Sequence, residues 1–295
     1  MLVGRGRVGR ALQASKSSGE QSMVLYADHA LAVRLESLAA QDTLAFAETS
    51  AALYPESGAA WLRVAGGIAG FSSPDSAVNG TSGVGLEREV TETDLMAIER
   101  FFLGRCARPV ISVCPLAHAS LTRCLAARRW VPAGFENVLV RELLDDERFG
   151  VPDDGIEIRL AETAAERLRW ASLVVDGFAA PHGPTPAETR LGLTASAMSD
   201  RVFLTAFADG EPAGTGELRV ADGIGWLSAD TTLPAFRQRG VQISLQRVRL
   251  ELARDAGCAL AVTESAPGGP SQRNMERNGF RLVYTRMELA GPEPA

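Results

Sequence analysis

Lysine is almost missing from this chain. Of its 30 basic residues only Lys16 is a lysine; the rest are arginines, which reads as coding bias rather than chemistry. Histidine is nearly as scarce. His29, His118 and His182 are too scattered to give zinc a ligand cluster, so no metal is expected. The four cysteines, Cys106, Cys114, Cys124 and Cys258, form no C-x-x-C pair. That excludes a disulfide framework and points to the reducing cytoplasm. No apolar run reaches the ~20 residues of a membrane span, and the arginine-bearing N-terminus lacks the apolar stretch of a secretory signal. A basic excess is absent too: 30 basic against 36 acidic residues leave a net charge of −6, so no nucleic-acid partner is expected.

What is present is globular. The chain has 295 residues, 46% hydrophobic and 22% charged, enough for about two domains. Residues 1–22 end in the polar QASKSSGEQS and read as a disordered extension. The acidic stretch LDDERFGVPDDG (144–155) reads as a linker, which sets domains at 23–150 and 151–295. The first half gives a helix from residue 28 and strand–turn–strand over 60–72. A strand (85–90), helix (91–105), strand (109–115), helix (119–130) and strand (135–143) follow. Thr91 and Asp94 stand at capping-box spacing. The second half gives a strand (156–162), helices 165–179 and 187–198, and three strands separated by Asp-Gly turns. It closes with helix 241–256, strand 259–265, helix 271–279 and strand 280–289. Stretches 85–143 and 224–289 run in parallel, as two copies of one α/β fold with a mixed sheet.

The first residues carry a competing signal. VGRGRVGRAL places Gly4, Gly6 and Gly9 at G-x-G-x-x-G spacing, with Asp28 about where a dinucleotide site wants its ribose-binding acid. Yet only Met1 to Val3 precede the motif, and no series of alternating parallel strands follows to build the sheet such a site needs. A nicotinamide oxidoreductase is therefore the minor alternative.

The chemistry concentrates in TTLPAFRQRGVQISLQRVRLELARDAG (231–257). A strand ends at Thr232–Leu233, Pro234 stops it, and a helix starts near Val241. A helix start offers unpaired N–H groups and a positive dipole end. Gly240 lets a ligand approach the backbone, and Arg237 and Arg239 add charge, which makes a pocket suited to a diphosphate.

This segment resembles the pyrophosphate loop of the GNAT N-acetyltransferase superfamily, [RQ]-x-x-G-x-[GA]. It reads Arg237-Gln238-Arg239-Gly240-Val241-Gln242, with Gln242 in place of the last small residue. Gly279-Phe280 matches the family's final helix-to-strand junction, and the resemblance spans 156–289. It implies acetyl-CoA as cosubstrate, with the diphosphate on the backbone of residues 238–242. The pantetheine arm would run beside the strand ending at Thr232 and Leu233, and Ser271 or Asn274 would bond the arm or the sulfur. A backbone N–H near Thr232 would polarise the acyl carbonyl, and an amine would attack directly. The family's tyrosine, four residues before the junction glycine, is replaced by Met275. Tyr284, on the following strand, is carried as a third catalytic candidate beside the two carboxylates named next. Trp226, Ser228, Asp230 and Thr232 are expected to alternate onto one strand face, with Asp230 or Glu217 as the base. Trp170 and Phe178 are expected in the core.

In the first half, GLEREVTETDL (85–95) has no arginine–glycine loop. Glu87, Glu89, Glu92 and Asp94 would repel a diphosphate. That half reads as a degenerate copy without cofactor, suited to packing, lining an acceptor cleft or homodimerisation. Two functions compete: an N-acetyltransferase acting on a small-molecule or peptide amine, and a non-catalytic acyl-CoA-binding protein. Acceptor and acyl group stay open.

Overall fold

A computed structural model of the chain describes residues 26–150, 155–180 and 182–294. The glycines of the N-terminal motif, the extension 1–22 and residues 151–154 of the linker lie outside them. The described residues form two compact units, discontinuous in sequence. One holds residues of 27–138, 186–198 and 282–294; the other holds residues of 139–185 and 199–281. Compactness thus cuts across the division at 150/151. Part of the acidic linker is packed: Phe149 is buried among Leu139, Leu250 and Phe280, and its N–H donates to Glu251 at 2.7 Å.

In the first unit, α1 (His29–Leu53) starts at Asp28, whose carboxylate accepts from the Leu31 N–H at 2.8 Å. The acid that the glycine motif would assign to a ribose is a helix cap. β1 (Ala60–Val64) and β2 (Gly67–Phe71) form a hairpin through Ala65 and Gly66, both left-handed at φ 48° and 84°. β3 is Gly80–Ser82. The strand expected over 85–90 is instead a loop, because Gly83 and Gly85 turn the backbone out of extension at φ 76° and 79°. α2 (Glu92–Leu103), β4 (Val110–Val113), α3 (Ala119–Ala127) and β5 (Val131–Glu142) follow. The sheet order is β1-β2-β3-β4-β11-β5, where β11 (Arg281–Ala290) runs antiparallel to β4. Helix α5 (Pro186–Ala197) packs with α1. Phe71, Ile98, Phe102, Ile111, Leu121 and Trp130 are among the residues of the core.

In the second unit, the C-terminal end of β5 adjoins β10 (Leu260–Ser265), and the Leu143 N–H donates to the Ala259 carbonyl at 2.9 Å. The order continues β10-β9-β8-β7-β6, with β9 Ile224–Thr232, β8 Glu211–Ala221, β7 Arg201–Ala208 and β6 Ile156–Leu160. β10 is parallel to β9 and the remaining pairs are antiparallel. The hairpins turn at Asp209-Gly210 and Asp222-Gly223, all four residues left-handed, as the Asp-Gly signals require. α4 (Ala164–Ala179) and α6 (Val241–Asp255) cover opposite faces. On β7, Phe203 stacks on Trp170 of α4, while Leu204, Ala206 and Ala208 meet Val241, Leu245 and Val248 of α6.

Candidate functional site

The parallel pairing of β9 with β10 stops at Leu227↔Thr263. Beyond it, residues 228–232 of β9 are unpaired with β10, and the two strands part. A cleft of about 800 Å³ opens there, lined by Asp230, Thr231 and Thr232, the loop after β9, the first turn of α6, and α7 (Pro270–Arg277).

The loop is built to present backbone. A short 3-10 turn, Pro234–Phe236, leads into Arg237. Gln238 and Gly240 are left-handed, at φ 64° and 85°, and Gly240 is the N-cap of α6 with no side-chain capping bond. The first N–H groups of α6 therefore lack the usual side-chain partner, and the helix dipole points at the cleft. The matching helix start in the first unit is closed. Thr91 and Asp94 form a complete capping box on α2, and Arg88 is held bidentate by Asp94 at 2.8 and 3.0 Å. That bond holds the Asp94 carboxyl far below the usual carboxylate range.

No family model and no curated protein matches the sequence. Solved structures do. A tandem GNAT protein from the clavulanic acid biosynthesis pathway, solved without acetyl-CoA, matches 92% of this chain and 97% of its own, at TM-score 0.59 and 14% identity. A GCN5-related N-acetyltransferase from Kribbella flavida matches 83% of this chain and 95% of its own, at TM-score 0.58 and 17% identity. A functionally unknown protein from Staphylococcus epidermidis matches 75% and 87%, at TM-score 0.55 and 16% identity.

The chain has the tandem GNAT fold.

Within that GNAT fold, Thr232, Arg237, Gln238, Gly240, Val241, Gln242, Ser271 and Asn274 all line the cleft of the second unit. Arg237 lies with Nε 3.5 Å from the Thr232 carbonyl. Two members of the expected set face elsewhere. The Leu233 N–H is taken by the Ala213 carbonyl at 2.9 Å. Arg239 pairs with Asp209 at 2.8 Å, lies over the Phe236 ring and is not among the residues that line the cleft. Two arginines of α7 are. Arg273 and Arg277 line the cleft at i, i+4 spacing, a helical signal that could have exposed them.

Gln242 is no obstruction. Its Nε2 donates to Ser271 Oγ at 2.7 Å, and its Oε1 accepts from Asn274 Nδ2 at 2.7 Å. The side chain is a strut between α6 and α7, continued one turn on by Gln246, which accepts from Asn278. Met275, at the tyrosine position, is buried among Leu250, Ala253 and Phe280.

The expected alternation along β9 is broken. Its register with β8 shifts between Ser228 and Thr231, and Ala229 is left-handed at φ 52°, which marks a bulge. Ser228 stays beside Glu217, to which it donates at 3.2 Å, while the Asp230 carboxylate accepts from Arg249 of α6. Burial pushes the Asp230 carboxyl up, and the guanidinium pulls against it. Glu217 is buried and accepts from Arg201 at 2.9 Å, away from the residues that line the cleft. Tyr284 belongs to the first unit. Its hydroxyl donates to Glu36 at 2.8 Å, and burial beside that carboxylate drives its pKa far up. Trp170 is core as expected, fully buried. Phe178 is not: it is 64% exposed and lines the cleft. His182 is exposed, bonded to the Gly183 carbonyl. Among the described residues no cluster of potential metal ligands occurs, and no helix is long and apolar enough to cross a membrane.

Proposed function

We propose that this chain is an acetyl-CoA-dependent N-acetyltransferase working in the cytoplasm on an amine, through the cleft beside α6. The observation that carries this reading is the uncapped start of α6 behind two left-handed residues, Gln238 and Gly240. Backbone N–H groups of residues 238–242 would hold the diphosphate, with Arg237, Arg273 and Arg277 at the rim to neutralise it. The open edge of β9 over residues 228–232 suits the amide-bearing pantetheine arm, which can bond to it as an added strand. Acetyl-CoA supplies the activated acyl group. A backbone N–H near Thr232 would polarise the thioester carbonyl. Of the two candidate carboxylates only Asp230 lines the cleft. We assign it the amine's proton, with Arg249 as its fixed counter-ion.

The first unit is assigned no coenzyme. Besides the closed start of α2, its α3 lacks the polar lining of α7. The left-handed residues Gly279 and Arg129 align the two helices. Leu121 then stands at Ser271's position and Cys124 at Asn274's.

A second reading, acyl-CoA binding without transfer, is favoured by one observation: Met275 is a core residue with no proton to give. Steady CoA release in the presence of an amine panel decides between the two. Stabilisation by acetyl-CoA, about 2.7 kcal/mol at 100 times Kd, is expected under both. Stabilisation by a nicotinamide cofactor in its place would overturn both.

A further inference from the structure

The groups assigned to acetyl-CoA come from β9, the loop after it, α6 and α7. α4 lies across the sheet from α6, and among the described residues it adds only Gly177 and Phe178 to the lining. Gly177 fixes where that addition falls. A Cβ there would stand 1.7 Å from Thr231 Oγ1 and 2.8 Å from Thr231 Cβ, so the last turn of α4 rests on β9 as only a glycine permits. The next residue, Phe178, is thereby held beside the end of β9. Its ring is 64% exposed, whereas Trp170, Val174 and Val175 of the same helix are buried. An uncovered ring in the wall of a cleft is apolar surface for a ligand to cover. Charge narrows the ligand further. The lining holds Arg237, Arg273 and Arg277 against one carboxylate, Asp230, and Asp230 is already paired with Arg249. Among the described residues no other carboxylate lines the cleft to receive a second ammonium.

We propose that Phe178 selects the acceptor, and that the acceptor is a monoamine with an apolar aryl or alkyl substituent, which packs on the Phe178 ring while the nitrogen reaches Asp230. The inference rests on the acetyltransferase reading above. A polyamine or an aminoglycoside would bring further ammonium groups into a cleft whose lining leaves them unpaired. A small polar amine would leave the ring in water and gain nothing from it.

The test compares three amines, benzylamine, ethanolamine and spermidine, on the full chain. Initial rates of CoA release from acetyl-CoA are measured for the wild type, Phe178→Ala and Phe178→Leu. In the wild type, kcat/KM for benzylamine is expected to exceed that for ethanolamine by about tenfold or more, the discrimination that an apolar contact provides. Phe178→Ala should lower that ratio about tenfold, through KM, and Phe178→Leu should keep most of it. Acetyl-CoA affinity, read by calorimetry, should be the same in all three proteins, which separates an acceptor contact from a coenzyme contact and from a folding defect. An unchanged ratio in Phe178→Ala, or a preference of the wild type for spermidine, overturns the assignment of Phe178 and leaves the transferase reading standing. Absence of CoA release from the wild type with all three amines overturns that reading, and this inference with it.

Discussion

Arg249 and Asp230 form an ion pair in which the guanidinium is wholly shut off from solvent and the carboxylate nearly so. Arg249 also donates to the carbonyls of Leu245, Glu217 and Ser228, at 3.1, 3.1 and 3.0 Å. It ties α6 to both strands at the bulge that opens the cleft. Removing one partner of such a pair leaves a buried charge alone, which costs about 3–5 kcal/mol. Arg249→Met is expected to lose that much in urea unfolding, and Arg249→Met with Asp230→Asn to recover part of it. Gly216→Ala should cost about 1–3 kcal/mol, because its Cβ would lie 2.7 Å from the Arg249 Cζ. A loss under about 1 kcal/mol in Arg249→Met would remove the pair from any structural role.

The rim arginines should differ in their effect on ligand binding. Arg273→Ala and Arg277→Ala are each expected to weaken acetyl-CoA by about two- to fivefold, in line with exposed charge contacts, and to reduce the salt dependence of binding. Arg239→Ala should leave affinity nearly unchanged, since Arg239 is engaged by Asp209. Titration calorimetry at two ionic strengths measures all three, and equal losses in the three variants would contradict the assignment.

Thiol reactivity gives an independent check on packing. Burial pushes Cys114 and Cys258 up to about 11, so neither carries much thiolate at neutral pH. Cys106 is exposed. Alkylation followed by mass spectrometry should mark Cys106 early and Cys114 and Cys258 only on unfolding. Early labelling of Cys114 would place the β4 end of the first unit in solvent.

Acid should loosen the first unit through Asp94. Its folded carboxyl is held below its unfolded value, first by the bond from Arg88. The stabilisation is therefore present above the unfolded carboxylate value of about 4 and is lost as pH falls through the folded one. Asp94→Asn should destabilise at neutral pH and flatten the acid limb of a stability-against-pH curve. An unchanged acid limb would show that the pair does not form in solution.

Much of this architecture was legible in the residues because the signals were local. The Asp-Gly pairs at 209–210 and 222–223 demand left-handed turns, and Thr91 with Asp94 marks a helix start within four residues. The Arg237–Gly240 loop stood out because a glycine beside two arginines at a helix start lets an anion reach the backbone N–H groups. Ala229 gave no warning. An alanine at φ 52° carries no glycine signal, and its conformation accompanies the bonds Arg249 makes to Ser228 and Glu217 across the sheet. That bulge turned Asp230 to α6. Gln242 read as a misfit because its partners, Ser271 and Asn274, lie on another helix. Arg239 read as free because Asp209 is distant in sequence and adjacent only once the β7–β8 turn forms.

The most direct measurement is calorimetric titration of acetyl-CoA into the wild type and Gly240→Asp. An aspartate there would cap α6 with its own carboxylate at a position now left-handed at φ 85°. The account predicts one acetyl-CoA per wild-type chain and none detectable in a Gly240→Asp variant that retains its circular dichroism. Undiminished affinity in the variant, or a second equivalent bound by the wild type, would contradict it.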